Sequence, residues 1–150
     1  MDDWLTPKEI VDALGKFDLD PCAPVHRTQD TATNHFSTLD NGLTKEWVGR
    51  VWLHPPLKNI DLWIGKMAEY GSGVCMTFVA SNEKWFHEHV LLKAHSIFFI
   101  DEKIRLHRGM ADVFGAPEQR PMCLIAWAEA DSVAIGEALT ISGTQLYLGN

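Results

Sequence analysis

The chain has 150 residues, 46% hydrophobic and 22% charged, enough for one domain with a real core. Its net charge of −7 excludes a protein that coats nucleic acid by charge alone; it admits an enzyme with a local basic patch, or a protein that imitates the charge of DNA. No apolar run is long enough to span a bilayer, and Met1-Asp2-Asp3-Trp4 lacks the apolar core of a secretion signal, so a cytoplasmic protein with no membrane partner is expected.

Thr6-Pro7-Lys8-Glu9 opens a helix: Thr6 suits the N-cap, Pro7 the first helical position, and Glu9 completes a capping box. Ile10, Val11 and Leu14 form its apolar stripe, and Gly15 stops it. Phe17 to Asp20 reads as a short strand ending at Pro21. Residues 21–46 are loop-rich, a long irregular stretch of the kind that is usually functional or mobile. Val51 to Leu53 is a second strand. Asn59 is expected to cap a helix with Ile60, Trp63, Ile64 and Met67 on one side, stopping at Gly71. Val74 to Val79 is an unbroken apolar strand. Ser81 caps a further helix with Trp85, Phe86, Val90 and Leu91 inward. Ser96 to Ile100 is a strand, Ile104 to His107 a short one, and Arg108 to Pro121 a loop. Met122 to Trp127 is another strand, and residues 129–150 hold a short helix and a last strand, Gln145 to Leu148. Strands alternating with helices, apolar throughout, predict a largely parallel sheet covered on both faces.

Cys22, Cys75 and Cys123 are an odd set at wide spacings and read as reduced thiols. No Cys-x-x-Cys is present. His87 and His89 are two apart, so on a helix they diverge and read as surface residues; no metal site is expected.

The chemistry gathers around His54-Pro55-Pro56-Leu57. Two prolines just past a strand end fix an extended loop, and the carboxyl ends of the strands are where open α/β sheets bind ligands. An acid at a strand end, such as Asp20, can accept hydrogen bonds from a ligand's hydroxyl or ammonium groups. Taken singly, the Pro-Pro pair is a strand terminator, Asp20 a turn aspartate, and Trp4 and Trp47 core aromatics.

Taken in order they say more. Trp4-Leu5-Thr6-Pro7, Asp18-Leu19-Asp20-Pro21-Cys22-Ala23, Asn41-Gly42-Leu43, Trp47-Val48-Gly49-Arg50-Val51 and His54-Pro55-Pro56-Leu57 together resemble the bacteriophage-type DNA N6-adenine methyltransferases. Lys84-Trp85-Phe86 and Lys103-Ile104-Arg105-Leu106 extend the likeness, which runs from about Trp4 to Ala128. The resemblance implies an α/β fold of the compact class I methyltransferase (Rossmann-like) type, with a mostly parallel sheet flanked by helices in a single domain over residues 1–150. It also implies S-adenosylmethionine as cofactor and methyl transfer to adenine N6 in DNA. By position, Trp4, Thr6, Pro7, Asp20, Pro21, Cys22 and Ala23 fall on the cofactor side. His54, Pro55, Pro56 and Leu57 fall on the catalytic loop. Asp40, Asn41 and Gly42 approach the substrate, and Lys103, Arg105 and Arg108 are the expected phosphate patch. The Trp4-to-Pro7 segment and the Asp20 turn should meet beside the carboxyl end of Val51–Leu53.

The departures from that family bear on activity. Its loop reads Asn-Pro-Pro-Tyr, in which the Asn side chain and a loop carbonyl accept the N6 protons of an extruded adenine and the aromatic residue stacks on it. Here His54 and Leu57 replace both side chains. A neutral imidazole offers one acceptor nitrogen and a protonated one offers none; leucine has no π face. Two functions therefore stand: a phage-encoded adenine methyltransferase of weakened activity, or a catalytically inactive descendant that binds DNA or blocks a host defence protein.

Overall fold

The computed structural model describes residue 5 and residues 7–27, 29–37, 39–107, 114–118 and 120–150. Its elements are α1 (Pro7–Ala13), β1 (Leu19–Asp20), β2 (Asn34–His35), a 3-10 turn (Gly42–Thr44), β3 (Val51–Leu53), α2 (Ile60–Tyr70) and β4 (Gly73–Phe78). There follow a π-helical segment (Phe86–Leu91), β5 (Ser96–Ile100), β6 (Arg105–His107), β7 (Phe114–Pro117), β8 (Met122–Ala126), α3 (Glu129–Glu137) and β9 (Gly143–Tyr147).

Seven strands form one sheet in the order β2-β1-β3-β4-β8-β5-β9, and β6 pairs with β7 apart from it. Pairing is parallel from β2 to β4. Beyond β4 it is antiparallel, because β8 and β9 run against the other strands. The expectation of a mostly parallel sheet is corrected here: the fold is a mixed α/β sheet. The cause lies between β5 and β8. Two adjacent parallel strands need a crossover, usually helical. This stretch instead holds the antiparallel β6–β7 pair, which returns the chain to the edge where β5 ended. β8 must then run backwards. The expected loop over 108–121 thus contains a strand, and β2 arises inside the stretch read as irregular.

Side chains alternate between two cores, one on each face of the sheet, as period-two strands require. Val74 and Met76 of β4, with Trp52 and Leu124, pack beneath Ile10, Val11 and Leu14 of α1 and Ile135 of α3. Cys75, Val51, Leu53 and Ile125 face Trp63, Ile64 and Met67 of α2 and Phe86 and Val90 of the π-helical segment. Cys22, Cys75 and Cys123 are free thiols. His87 is exposed, but His89 is half-buried, and its carbonyl accepts from the Trp127 indole at 2.9 Å. Among the described residues no helix is long and apolar enough to cross a membrane, and no cluster of possible metal ligands occurs.

The amino edge of the sheet is tied by one ion pair. Arg50, just before β3, donates from Nε to Asp131 Oδ1 at 2.8 Å and from Nη1 to the Leu14 carbonyl at 2.7 Å. It stacks over Phe17 at 4.2 Å. The other Asp131 oxygen accepts from the Gly73 amide at 2.8 Å. α1, β3, β4 and α3 are thereby joined away from the opposite, carboxyl edge.

Candidate functional site

The chain leaves β1, steps outward to β2, and returns on the other side as β3. At such a switch point the connections diverge and leave a crevice at the carboxyl ends of the strands. A cavity of about 680 Å³ opens there, within the range of small-molecule sites. Pro7, Asp20, Pro21, Cys22 and Ala23 line it, together with the whole of His54-Pro55-Pro56-Leu57 and with Asn41 and Gly42. The described members of the predicted cofactor side thus share one space with the predicted catalytic loop, and Asn41 and Gly42 of the substrate segment join them. Trp4, Thr6 and Arg108 lie outside the described residues. Asp40 is exposed and folds onto its own turn, accepting from the Ser37 amide at 2.9 Å. Lys103 and Arg105 are not among the lining residues.

Asp20 is the cavity's buried acid, 4% exposed. One oxygen accepts from the Cys22 amide at 3.2 Å and the other from the Thr31 hydroxyl. Burial raises its pKa to about 6, against the opposing pull of those two donors and of Arg27. The Cys22 thiol donates to the His54 carbonyl at 3.2 Å. Burial, reinforced by the nearby Asp20, holds that thiol protonated, so it remains a donor. This contact ties the loop after β1 to the loop after β3.

Burial pushes His54 down to about 4, only partly offset by Glu118 and aided by Arg120. Its imidazole is therefore neutral at physiological pH and keeps one acceptor nitrogen. Leu57 stands at the mouth, 62% exposed. Asn41 and Asn59 are the two non-glycine residues with positive φ among the described residues, at 54° and 59°, and both line the cavity. Backbone held in this region gathers at ligand sites, where its surroundings over-determine it. Asn59 starts α2 without a side-chain cap bond, so its predicted role as a capping side chain is corrected: its backbone turn, not its amide, begins the helix.

Gly42 approaches the Asp20 turn closely. A Cβ there would meet the Pro21 carbonyl oxygen at 2.0 Å and the Trp63 ring at 3.1 Å. The loop is pinned from behind by Trp47, which donates to the Gly42 carbonyl at 2.9 Å and stacks on Trp63 at 6.3 Å. Lys66 adds a bond to the Leu43 carbonyl at 2.9 Å. Trp47 is thus the core aromatic its type suggests.

Sequence reasoning missed Arg27, Thr31, Phe78 and Arg120, all of which line the cavity. Arg120 donates to both Glu118 oxygens, at 2.7 and 2.8 Å, and lies over Phe78 at 4.5 Å. It reaches the site because β8 is reversed, which sets the start of β8 at the carboxyl edge.

Residues 1–129 match the family described as DNA N-6-adenine-methyltransferase (Dam). The chain belongs to this family. A Dam-family relative, the DNA N-6-adenine-methyltransferase of Escherichia phage T1, is 31% identical over a 96-residue alignment that covers 57% of this chain and 39% of that protein. The chain thus spans well under half the length of this Dam relative. No solved structure matches it.

Proposed function

We propose that this chain is a single-domain, S-adenosylmethionine-dependent DNA adenine-N6 methyltransferase of the compact class I type, with catalysis weakened at His54 and Leu57. The observation that carries the reading is the meeting of the Asp20 turn and the His54-Pro55-Pro56-Leu57 loop in one cavity at the switch point. The donor set fits the cofactor. Asp20 can accept from hydroxyl or ammonium groups, and Pro7 and the Pro21–Ala23 turn would hold the rest of the molecule. S-adenosylmethionine supplies an electrophilic methyl group when bound.

The chain's own part is to bind, orient and accept a proton's hydrogen bond. The neutral imidazole of His54 receives one N6 hydrogen of an extruded adenine, and a Pro-Pro carbonyl receives the other. The His54 carbonyl is already held by Cys22, which fixes the loop before any base arrives. Leu57 covers the base without a π face and forgoes stacking worth roughly 1–3 kcal/mol. A loop of this kind reads adenine but activates it less than an Asn and an aromatic residue would. Asp40, on the flanking turn, is proposed as an outer contact on the substrate side.

Leu57 favours a second reading as well: a non-catalytic descendant that binds DNA or a host defence protein, in the cytoplasm of a phage-infected cell. Calorimetric titration with S-adenosylmethionine and S-adenosylhomocysteine, followed by transfer of labelled methyl to adenine-containing DNA, separates the two. Binding with slow transfer is expected. No binding at millimolar ligand overturns the first reading and leaves the second.

A further inference from the structure

Charge is distributed unevenly over this protein. The chain has 13 Lys and Arg against 20 Asp and Glu, yet among the described residues the charged side chains lining the cavity are Lys8, Arg27, Lys58 and Arg120 against Asp20 alone. Four separate segments supply these cations: α1, the β1–β2 connection, the loop after β3, and the lead into β8. Lys8 pairs with Asp12, Arg27 with Asp30 at 3.0 Å, and Arg120 with Glu118 at 2.7 Å. None of these three acids lines the cavity. These three cations are thus steadied from outside while they border the opening.

Arg120 is the best organised of the four. Its Nε and one Nη2 hydrogen hold Glu118, and its plane rests on Phe78. An arginine has five N–H donors in a rigid fork, so three remain for a ligand. The Glu118 contact and the burial balance leave its pKa raised, and the guanidinium is charged at any working pH. Lys58 stands directly after the Pro-Pro loop and is exposed.

We propose that this rim, anchored by Arg120 and Lys58, grips the DNA phosphates that flank the extruded base, in place of the Lys103, Arg105 and Arg108 expected from the sequence. The inference rests on the methyltransferase reading above. A ring of cations around one opening suits a phosphate chain that bends around a displaced nucleotide, and it lets an acidic protein hold DNA at one spot while its remaining surface repels it.

The test is duplex binding by fluorescence anisotropy over a potassium chloride series, with S-adenosylhomocysteine affinity measured in parallel. K58A/R120Q should weaken binding roughly tenfold or more at 0.1 M salt and lower the log–log salt slope by about two, one per lost phosphate contact. K103A/R105A/R108A should leave the slope unchanged. K58A alone, an exposed substitution with no bearing on folding, should lower it by about one, and R120K should restore part of the loss. Parent binding with an unchanged slope in K58A and in K58A/R120Q overturns the rim while the enzyme reading stands. Loss of S-adenosylhomocysteine affinity with DNA binding intact also overturns it and gives Arg120 to the cofactor. A parent that binds S-adenosylhomocysteine but no duplex at low salt overturns the rim and the DNA reading together.

Discussion

Replacing Asp20 with Asn should stabilise the protein and disable it. The carboxyl titrates near 6 in the folded chain, because burial penalises its charge, against an ordinary value of 3.8. Below about pH 3.8 both folded and unfolded chains hold the proton and the group is neutral to stability. As pH rises towards 6 the unfolded chain releases its proton first, so stability falls, by about 3 kcal/mol in all at about 1.4 kcal/mol per pH unit. Asn carries no charge to bury. It keeps one oxygen for the Cys22 amide or the Thr31 hydroxyl and loses the other bond, worth about 1 kcal/mol. The net gain at pH 8 is then about 2 kcal/mol, or roughly 4–8 °C in Tm for a chain of this length. Thermal unfolding followed by circular dichroism from pH 4 to pH 8 reads it directly. The gain should appear as pH rises and vanish by pH 4, while S-adenosylmethionine affinity drops about tenfold or more with the loss of a charged acceptor. A Tm that is lower at pH 8, or a gain that does not depend on pH, would refute the argument that this acid is held at a cost for its ligand.

Three further outcomes are expected. H54N with L57Y should raise methyl transfer to DNA, and the double variant should exceed the product of the single effects because both act on one base; mass spectrometry of N6-methyladenine decides, and a parent as active as the double variant would make His54 and Leu57 functional choices. G42A drives a Cβ into the Pro21 carbonyl and should cost about 1–3 kcal/mol of stability while displacing the Asp20 turn, so cofactor affinity should fall below the unfolding transition; unaltered affinity would show that the turn yields freely. D131A strands the Arg50 guanidinium and should cost about 3–5 kcal/mol in denaturant unfolding, yet leave ligand binding intact well below the midpoint, because it acts at the other edge of the sheet.

Several elements were legible because one local cause decides them. The apolar run at Val74, the stripe Trp63–Ile64–Met67 and the Pro-Pro stop after Leu53 act through burial or backbone chemistry that needs no distant partner. β8 illustrates the opposite case. Met122–Ala126 reads as a buried strand in either direction, since a strand apolar on both faces carries no mark of its sense. Its direction was set by the β6–β7 pair, and with it the arrival of Arg120 in the cavity. β2 is two residues long and polar, with no pattern to find. The Asp20 and His54 stretches were found by their order, but their joining through Cys22 was not, because no periodicity reports a thiol meeting a carbonyl 32 residues away.

The strand beneath the site is very short. β1 has two residues, and Leu19 opposite Val51 is its one register pair with β3, whereas β4 and β8 are matched from Val74–Ala126 to Phe78–Met122. Stability is spread unevenly in such a sheet, and sections with few ladder bonds open first. The border between the slow and the fast part runs through the crevice itself: His54 extends from the firm side and Asp20 sits on the yielding side. The cavity can then widen by loosening β1 and β2 alone, with the firm centre undisturbed, so that a ligand bridging the two lips would lock the outer strands into the sheet and slow their amide exchange.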